Sequence, residues 1–272
     1  MNDISQTQFV AVRDVELAFI DVGEGPVMLF LHGFPFDKSM WDGQIEALSA
    51  SGFRAVVPDL RGLGETKAAG EISTMDDMAH DAAALLDHLQ IDEAIVCGLS
   101  MGGYVAFEFA HLFPSRVRGL VLSGTRAPAD NEQEKAGREQ QVQTMLRAGM
   151  VPISIATVPK LLAERTRTEQ PDVVKRVRTM ITRADPKGAA AAQRGMTERR
   201  DYTEDLTNTN VPTLIIVGRE DPIRPVSDAE FMHERIRNSR LEIIEDAAHM
   251  TNLEQQEVFN DALVSFLNEL TH

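Results

Sequence analysis

Cysteine is almost missing, with Cys97 the single one in 272 residues. A lone cysteine excludes a disulfide framework within the chain and gives no sign of an oxidising compartment. Tryptophan occurs once and tyrosine twice, so the aromatic share is 6% and rests on twelve phenylalanines. No apolar run approaches the roughly 18 residues that crossing a bilayer takes. The opening MNDISQTQFVAVRD lacks the basic-then-apolar order of a secretory signal, and a cytoplasmic location is the expectation. Positive charge is scarce too: 27 Lys and Arg stand against 42 Asp and Glu, a formal balance of -15. A chain this acidic repels phosphate backbones and anionic membrane surfaces, so neither nucleic acid nor membrane is expected as a partner. No His, Cys, Asp or Glu cluster has metal-ligand spacing, and neither a metal nor another cofactor is expected.

What is present is a core-forming composition, 43% hydrophobic, at a length that suits one large α/β domain or a domain carrying an insertion. QFVAVRD, VELAFIDVG and PVMLFLHG read as strands, KSMWDGQIEALSASG as an amphipathic helix, and FRAVVPDLRG as a buried strand. From Thr74 to Gln90, Met75, Met78, Ala79, Ala82, Leu85, Leu86 and Leu89 follow the spacing of one buried helical stripe. The strand AIVCG, a helix from Met101 and the strand RGLVLSG complete six strands. Such alternation predicts an α/β fold: a mostly parallel central sheet with helices on both faces.

The rhythm breaks at Arg126. Residues 126–205 offer helical segments, among them SIATVPKLLAERTRT, and no convincing strand. Sheet rhythm resumes with PTLIIVGRED, VSDAEFMHERIRN and RLEIIEDAAH. A last helix follows, with Val258, Phe259, Ala262, Leu263, Phe266, Leu267 and Leu270 on its buried stripe. The expected organisation is a core in two parts, 1–125 and 206–272, with a helical cap at 126–205 over the C-terminal strand ends, where open α/β sheets bind ligands. The cap holds 15 basic and 12 acidic residues; the remainder holds 12 and 30. Ordinary solvated helix faces explain that difference, and so does a mildly positive roof that attracts an anionic substrate.

Gly98-Leu99-Ser100-Met101-Gly102 fits G-x-S-x-G between a buried strand and a helix. At such an elbow a strained backbone lifts the serine hydroxyl clear of the sheet, and the glycines remove side chains that would collide with the neighbouring elements. Ser100 is the expected nucleophile. After the strand PVMLFLHG, the Phe34 amide can turn towards Ser100, and with the Met101 amide it forms an oxyanion hole. His32 is read as a structural histidine tying that loop, and Pro35 as stiffening the turn. Asp221, rather than its neighbour Glu220, is the expected acid, and His249, 28 residues later, the base. His80, His88, His111 and His233 lie on predicted helices, and His272 ends the chain. Cys97 reads as a buried strand residue.

LHGFPFDKSMW, VVPDLRGLGET, GLSMGGYVAFEFA, VGREDPIRP and AAHMTNLEQ together make the chain resemble the α/β-hydrolase superfamily over nearly its whole length. More narrowly, MITRADPKGAAAAQRGMTERRDY and AAHMTNLEQQEVFNDALVSFL resemble 3-oxoadipate enol-lactonases and the small esterases near them. The resemblance implies a Ser100, Asp221 and His249 triad, an oxyanion hole at Phe34 and Met101, and a small-molecule ester or lactone as the partner. The cap contains no Trp or Phe, and Tyr202 at its edge is its only aromatic. A carboxylesterase with a methionine- and leucine-lined pocket is therefore the first expectation, and an enol-lactonase or related lactonase the alternative. Phe36, Leu146, Met150, Leu161, Ile223 and Met250 are expected to line the pocket with Phe34 and Met101. Carbon–carbon hydrolysis, perhydrolysis and ligand binding with little turnover use the same scaffold and stay open; a serine at the elbow argues against dehalogenases and epoxide hydrolases.

Overall fold

The computed structural model describes residues 6–67 and 70–271, so His272 and the first five residues of the expected segment 1–125 lie outside the described residues. Eight strands form one sheet: β1 (Gln8–Val12), β2 (Val15–Val22), β3 (Val27–Leu31), β4 (Arg54–Pro58), β5 (Ala94–Leu99), β6 (Val117–Ser123), β7 (Thr213–Gly218) and β8 (Ser239–Ile244). Their spatial order is β1-β2-β4-β3-β5-β6-β7-β8. The β1–β2 and β2–β4 pairs are antiparallel and the rest parallel. Every residue of β5 and β7 is buried, as a sheet covered on both faces requires. β3 pairs with β4 on one side and β5 on the other, so the chain reverses its direction of travel across the sheet there. Such a switch point leaves a crevice beyond the strand ends.

The helices of the first part are α1 (Asp42–Ala50), α2 (Met75–His88) and α3 (Met101–Leu112). KSMWDGQIEALSASG is not one helix: a 3-10 turn at Lys38–Trp41 precedes α1. α2 starts where its sequence offers a cap. The Thr74 hydroxyl accepts the Asp77 amide, and the Asp77 carboxylate accepts the Thr74 amide in return. The only tryptophan, Trp41, is buried between Phe30 and Phe259, with ring centroids 4.9 and 6.2 Å away.

Between β6 and β7 run α4 (Glu132–Ala148), α5 (Val151–Leu161), α6 (Glu164–Glu169), α7 (Pro171–Arg183), α8 (Pro186–Glu198) and α9 (Thr203–Asn208). SIATVPKLLAERTRT is thus two helices, broken at Leu162–Ala163 where both residues are extended. α8 lies directly on the core. A Cβ on Gly188 would fall 1.8 Å from the Gly62 carbonyl oxygen, and one on Gly195 1.7 Å from that of Ser73. Two arginines of α7 reach the 3-10 turn region: Arg183 binds Asp37 through two nitrogens at 2.6 and 2.8 Å, and Arg176 binds Asp42 at 2.8 Å.

The chain closes with α10 (Val226–His233), α11 (Thr251–Glu254) and α12 (Gln256–Thr271). Val258, expected on the buried stripe of the last helix, is 51% exposed. It sits in the first turn of α12, before the packed part at Phe259, Leu263 and Leu267. Among the described residues, no helix is long and apolar enough to cross a membrane.

Candidate active site

β5 delivers Ser100 and α3 begins at the next residue. Ser100 has φ 56° and ψ -110°, a left-handed conformation that costs a non-glycine residue about 1–3 kcal/mol and persists only where neighbours enforce it. The enforcement is visible. Its amide donates to the Ser123 carbonyl at 2.8 Å, and its own carbonyl accepts the Thr125 hydroxyl at 2.9 Å. A Cβ on Gly98 would lie 2.2 Å from the Gly102 oxygen, and one on Gly102 2.0 Å from the Leu31 oxygen. Helix α3 therefore seats against β5 and β3 only because both positions are glycine.

The loop after β3 is held from behind. His32 is fully buried; its Nε2 accepts the Leu60 amide at 2.9 Å, which leaves Nδ1 to donate to the Gly33 carbonyl at 2.9 Å. Burial lowers its pKa, so the ring is neutral and structural. Asp59 adds a second tie, accepting the Lys38 amide at 2.6 Å and the Lys38 ammonium at 2.8 Å. The Phe34–Pro35 peptide is cis. Among the described residues, neither the Phe34 nor the Met101 amide donates to another main-chain group, so both stay available for an anion.

Asp221 and His249 come from the loops after β7 and β8, and His249 Nδ1 lies 2.7 Å from Asp221 Oδ2. A carboxylate only accepts, so in the neutral imidazole the proton sits on Nδ1 and the Nε2 lone pair is free. The other oxygen of Asp221 accepts the amides of Ile223 and Arg224 at 2.8 and 2.9 Å, which fixes the carboxylate plane. Glu220 is exposed, its amide spent on the Ala247 carbonyl. Gly124 leaves room for the imidazole, since a Cβ there would stand 3.3 Å from His249 Nδ1. Cys97 is buried behind the elbow, and burial raises its thiol pKa, which removes it as a nucleophile.

Ser100 and His249 line one cavity of about 140 Å³ together with Phe34, Leu161 and Ile223. Five of the eight expected lining residues are elsewhere. Phe36 and Met250 point into the core, the Met101 side chain is buried there too, Met150 is buried at the N-cap of α5, and Leu146 is 46% exposed on α4. The lining is also more polar than expected, because Tyr104, Arg138, Gln141, Gln193 and Arg224 face it.

The family model for the α/β hydrolase fold matches residues 26–256. The chain belongs to the α/β-hydrolase fold family. A thermophilic esterase from Thermogutta terrifontis, solved with malate bound, is 39% identical with a TM-score of 0.95, over 98% of this chain and 99% of that one. The 3-oxoadipate enol-lactonase 2 of Acinetobacter baylyi is 30% identical over 93% of this chain and 94% of its own length. An enol-lactonase from Burkholderia xenovorans LB400 is 26% identical with a TM-score of 0.90, over 96% and 100%.

In this hydrolase the polar wall of the pocket is part of a buried charge network. Asp130 accepts Arg126 at 2.9 Å, Arg199 at 2.8 Å and also Arg138. Arg199 lies 4.0 Å above the Tyr104 ring, and Arg224 donates to the Tyr104 oxygen at 2.5 and 3.2 Å. Burial pushes the Tyr104 phenol pKa up, but Arg224, Arg199 and Arg138 outweigh it and leave the pKa lowered. One carboxylate thus serves three guanidinium groups beside the pocket. Spacing held a partial signal for this wall: Arg138 and Gln141 are three apart on α4, and Tyr104 stands one turn past Ser100 on α3.

Proposed function

We propose that the protein is a serine hydrolase that cleaves small carboxylic esters through an acyl-enzyme. The observation that carries this is the 2.7 Å His249–Asp221 contact, made by a histidine that lines one cavity with Ser100. His249 takes the Ser100 proton as the oxygen attacks the ester carbonyl, and the amides of Phe34 and Met101 receive the oxyanion. The imidazolium then protonates the leaving alcohol. Water enters, loses its proton to His249 and releases the acid, restoring the Ser100 hydroxyl. A cavity of about 140 Å³ suits a short acyl group. The esterase and enol-lactonase relatives support ester-type chemistry. p-Nitrophenyl acetate and butyrate test the reading. The wild type should turn over many times and Ser100→Ala should lose several powers of ten in rate; a single stoichiometric burst would contradict it.

A second reading, a lactonase or esterase for anionic substrates, is favoured by Arg138 and Arg224 on the pocket wall. A monosuccinate ester set against a butyrate ester of the same alcohol decides between them. Preference for the succinate that disappears in Arg138→Gln supports the anionic reading, and equal preference opposes it.

A further inference from the structure

The loop that carries His249 is hydrogen-bonded to the inserted helices as well as following its own strand. The Leu161 carbonyl, at the end of α5, accepts both the His249 amide at 3.1 Å and the Met250 amide at 3.2 Å. Leu161 also lines the pocket. Glu254, the last residue of α11, is 3% exposed and works from the other side. One of its oxygens accepts the amide of Ala248, next to the histidine, at 2.9 Å. The other accepts the amide of Ala163, at the break between α5 and α6, at 2.7 Å. No step of the hydrolysis uses this carboxylate. Burial raises its pKa, opposed by the amides of Ala163 and Ala248 and by the Thr166 hydroxyl, and each oxygen meets an N–H.

We infer that Glu254 is a positioning residue for His249, a two-sided clamp that makes the seating of the inserted helices and the placement of the imidazole one equilibrium. This rests on the reading of His249 as the base. A displacement of α5 by a bulky acyl group pulls on the Leu161 carbonyl and on Ala163, and both pulls reach the imidazole. A misplacement of about 1 Å at a reacting group can cost about a hundredfold in rate.

Glu254→Gln keeps the shape but sets an NH₂ against one of the two amides whichever way it turns, so half of the clamp is lost. With p-nitrophenyl butyrate, kcat should fall about tenfold to a hundredfold while KM stays within about threefold. Gln170→Ala is the control. It removes only the Gln170 side-chain donor to the Glu254 carbonyl, and kcat should stay within about twofold. Amide hydrogen exchange in the folded protein gives a readout independent of turnover: segments 161–163 and 248–250 should gain exchange together in Glu254→Gln.

Ala163→Pro is a second variant should Glu254→Gln fail to fold. Ala163 has φ -56° and ψ 155° and Leu162 is extended, so proline fits the chain while removing the clamped amide. It should reproduce the kcat loss. A folded Glu254→Gln or Ala163→Pro with kcat within about twofold of wild type, or exchange rising in only one of the two segments, overturns the clamp. Absence of Ser100-dependent turnover in the wild type would instead refute the hydrolase reading, and the exchange pattern would still decide the coupling.

Discussion

At the scale of single residues, the site depends on what is left out as much as on what is present. Gly124 has φ 49°, and a Cβ there would meet the His249 ring at 3.3 and 3.4 Å. Gly124→Ala should therefore cut kcat/KM by about tenfold through the displaced imidazole, an effect of about 1.4 kcal/mol on the barrier. The left-handed alanine adds about 1–2 kcal/mol of destabilisation, a shift of a few degrees in Tm. Wild-type kinetics with the alanine in place would show that the ring has slack. The placement of Ser100, Asp221 and His249 beyond the ends of β5, β7 and β8 was legible in the sequence, because each follows an apolar strand. Side chains beside them were not. Phe36 lies two residues past Phe34 and Met250 one past His249, yet both point into the core. Proximity along the chain does not set direction in an irregular loop.

At the scale of elements, Asp130 joins α4, through Arg138, to the residue following α8, Arg199. Burial raises its carboxyl pKa, but the hydrogen bonds and charges of Arg138 and Arg199 outweigh this and hold it well below the usual carboxylate range. A depressed folded pKa stabilises the native state above the unfolded value, near pH 4, and that stabilisation fades as pH falls further. Asp130→Asn leaves the buried Arg199 and the half-buried Arg138 without their carboxylate, while Arg126 keeps Glu134, at a cost of about 3–5 kcal/mol, so Tm at neutral pH should drop by on the order of 10 °C. The gap to wild type should narrow below about pH 4; a gap constant with pH would contradict the ion-pair origin. Amphipathic spacing announced these helices, but not which face meets the pocket. The break in SIATVPKLLAERTRT shows the limit well. α5 ends where the Leu161 carbonyl turns to amides 88 and 89 residues away, a cause that no local pattern contains.

For the molecule as a whole, a body of net charge -15 presents arginines at its pocket. Attraction of an anionic ester by Arg138 and Arg224 acts over a Debye length of about 10 Å at 0.1 M salt. The KM of a monosuccinate ester should rise several-fold between low and high salt while that of a butyrate ester stays flat; parallel behaviour of the two would deny the arginines a role in recognition. The alternation of strands and helices was enough to expect a mostly parallel sheet, and the interruption at Arg126 marked where the helices between β6 and β7 begin. The strand order was less legible, because the antiparallel β1–β2 edge and the reversal at β3 depend on packing between distant segments.

Covalent labelling tests the activated serine without assuming a substrate. Phenylmethanesulfonyl fluoride followed by peptide mass spectrometry should place one sulfonyl group on Ser100, with labelling slowed by orders of magnitude in His249→Ala. Label on another residue, or equal labelling when the imidazole is gone, would contradict the mechanism.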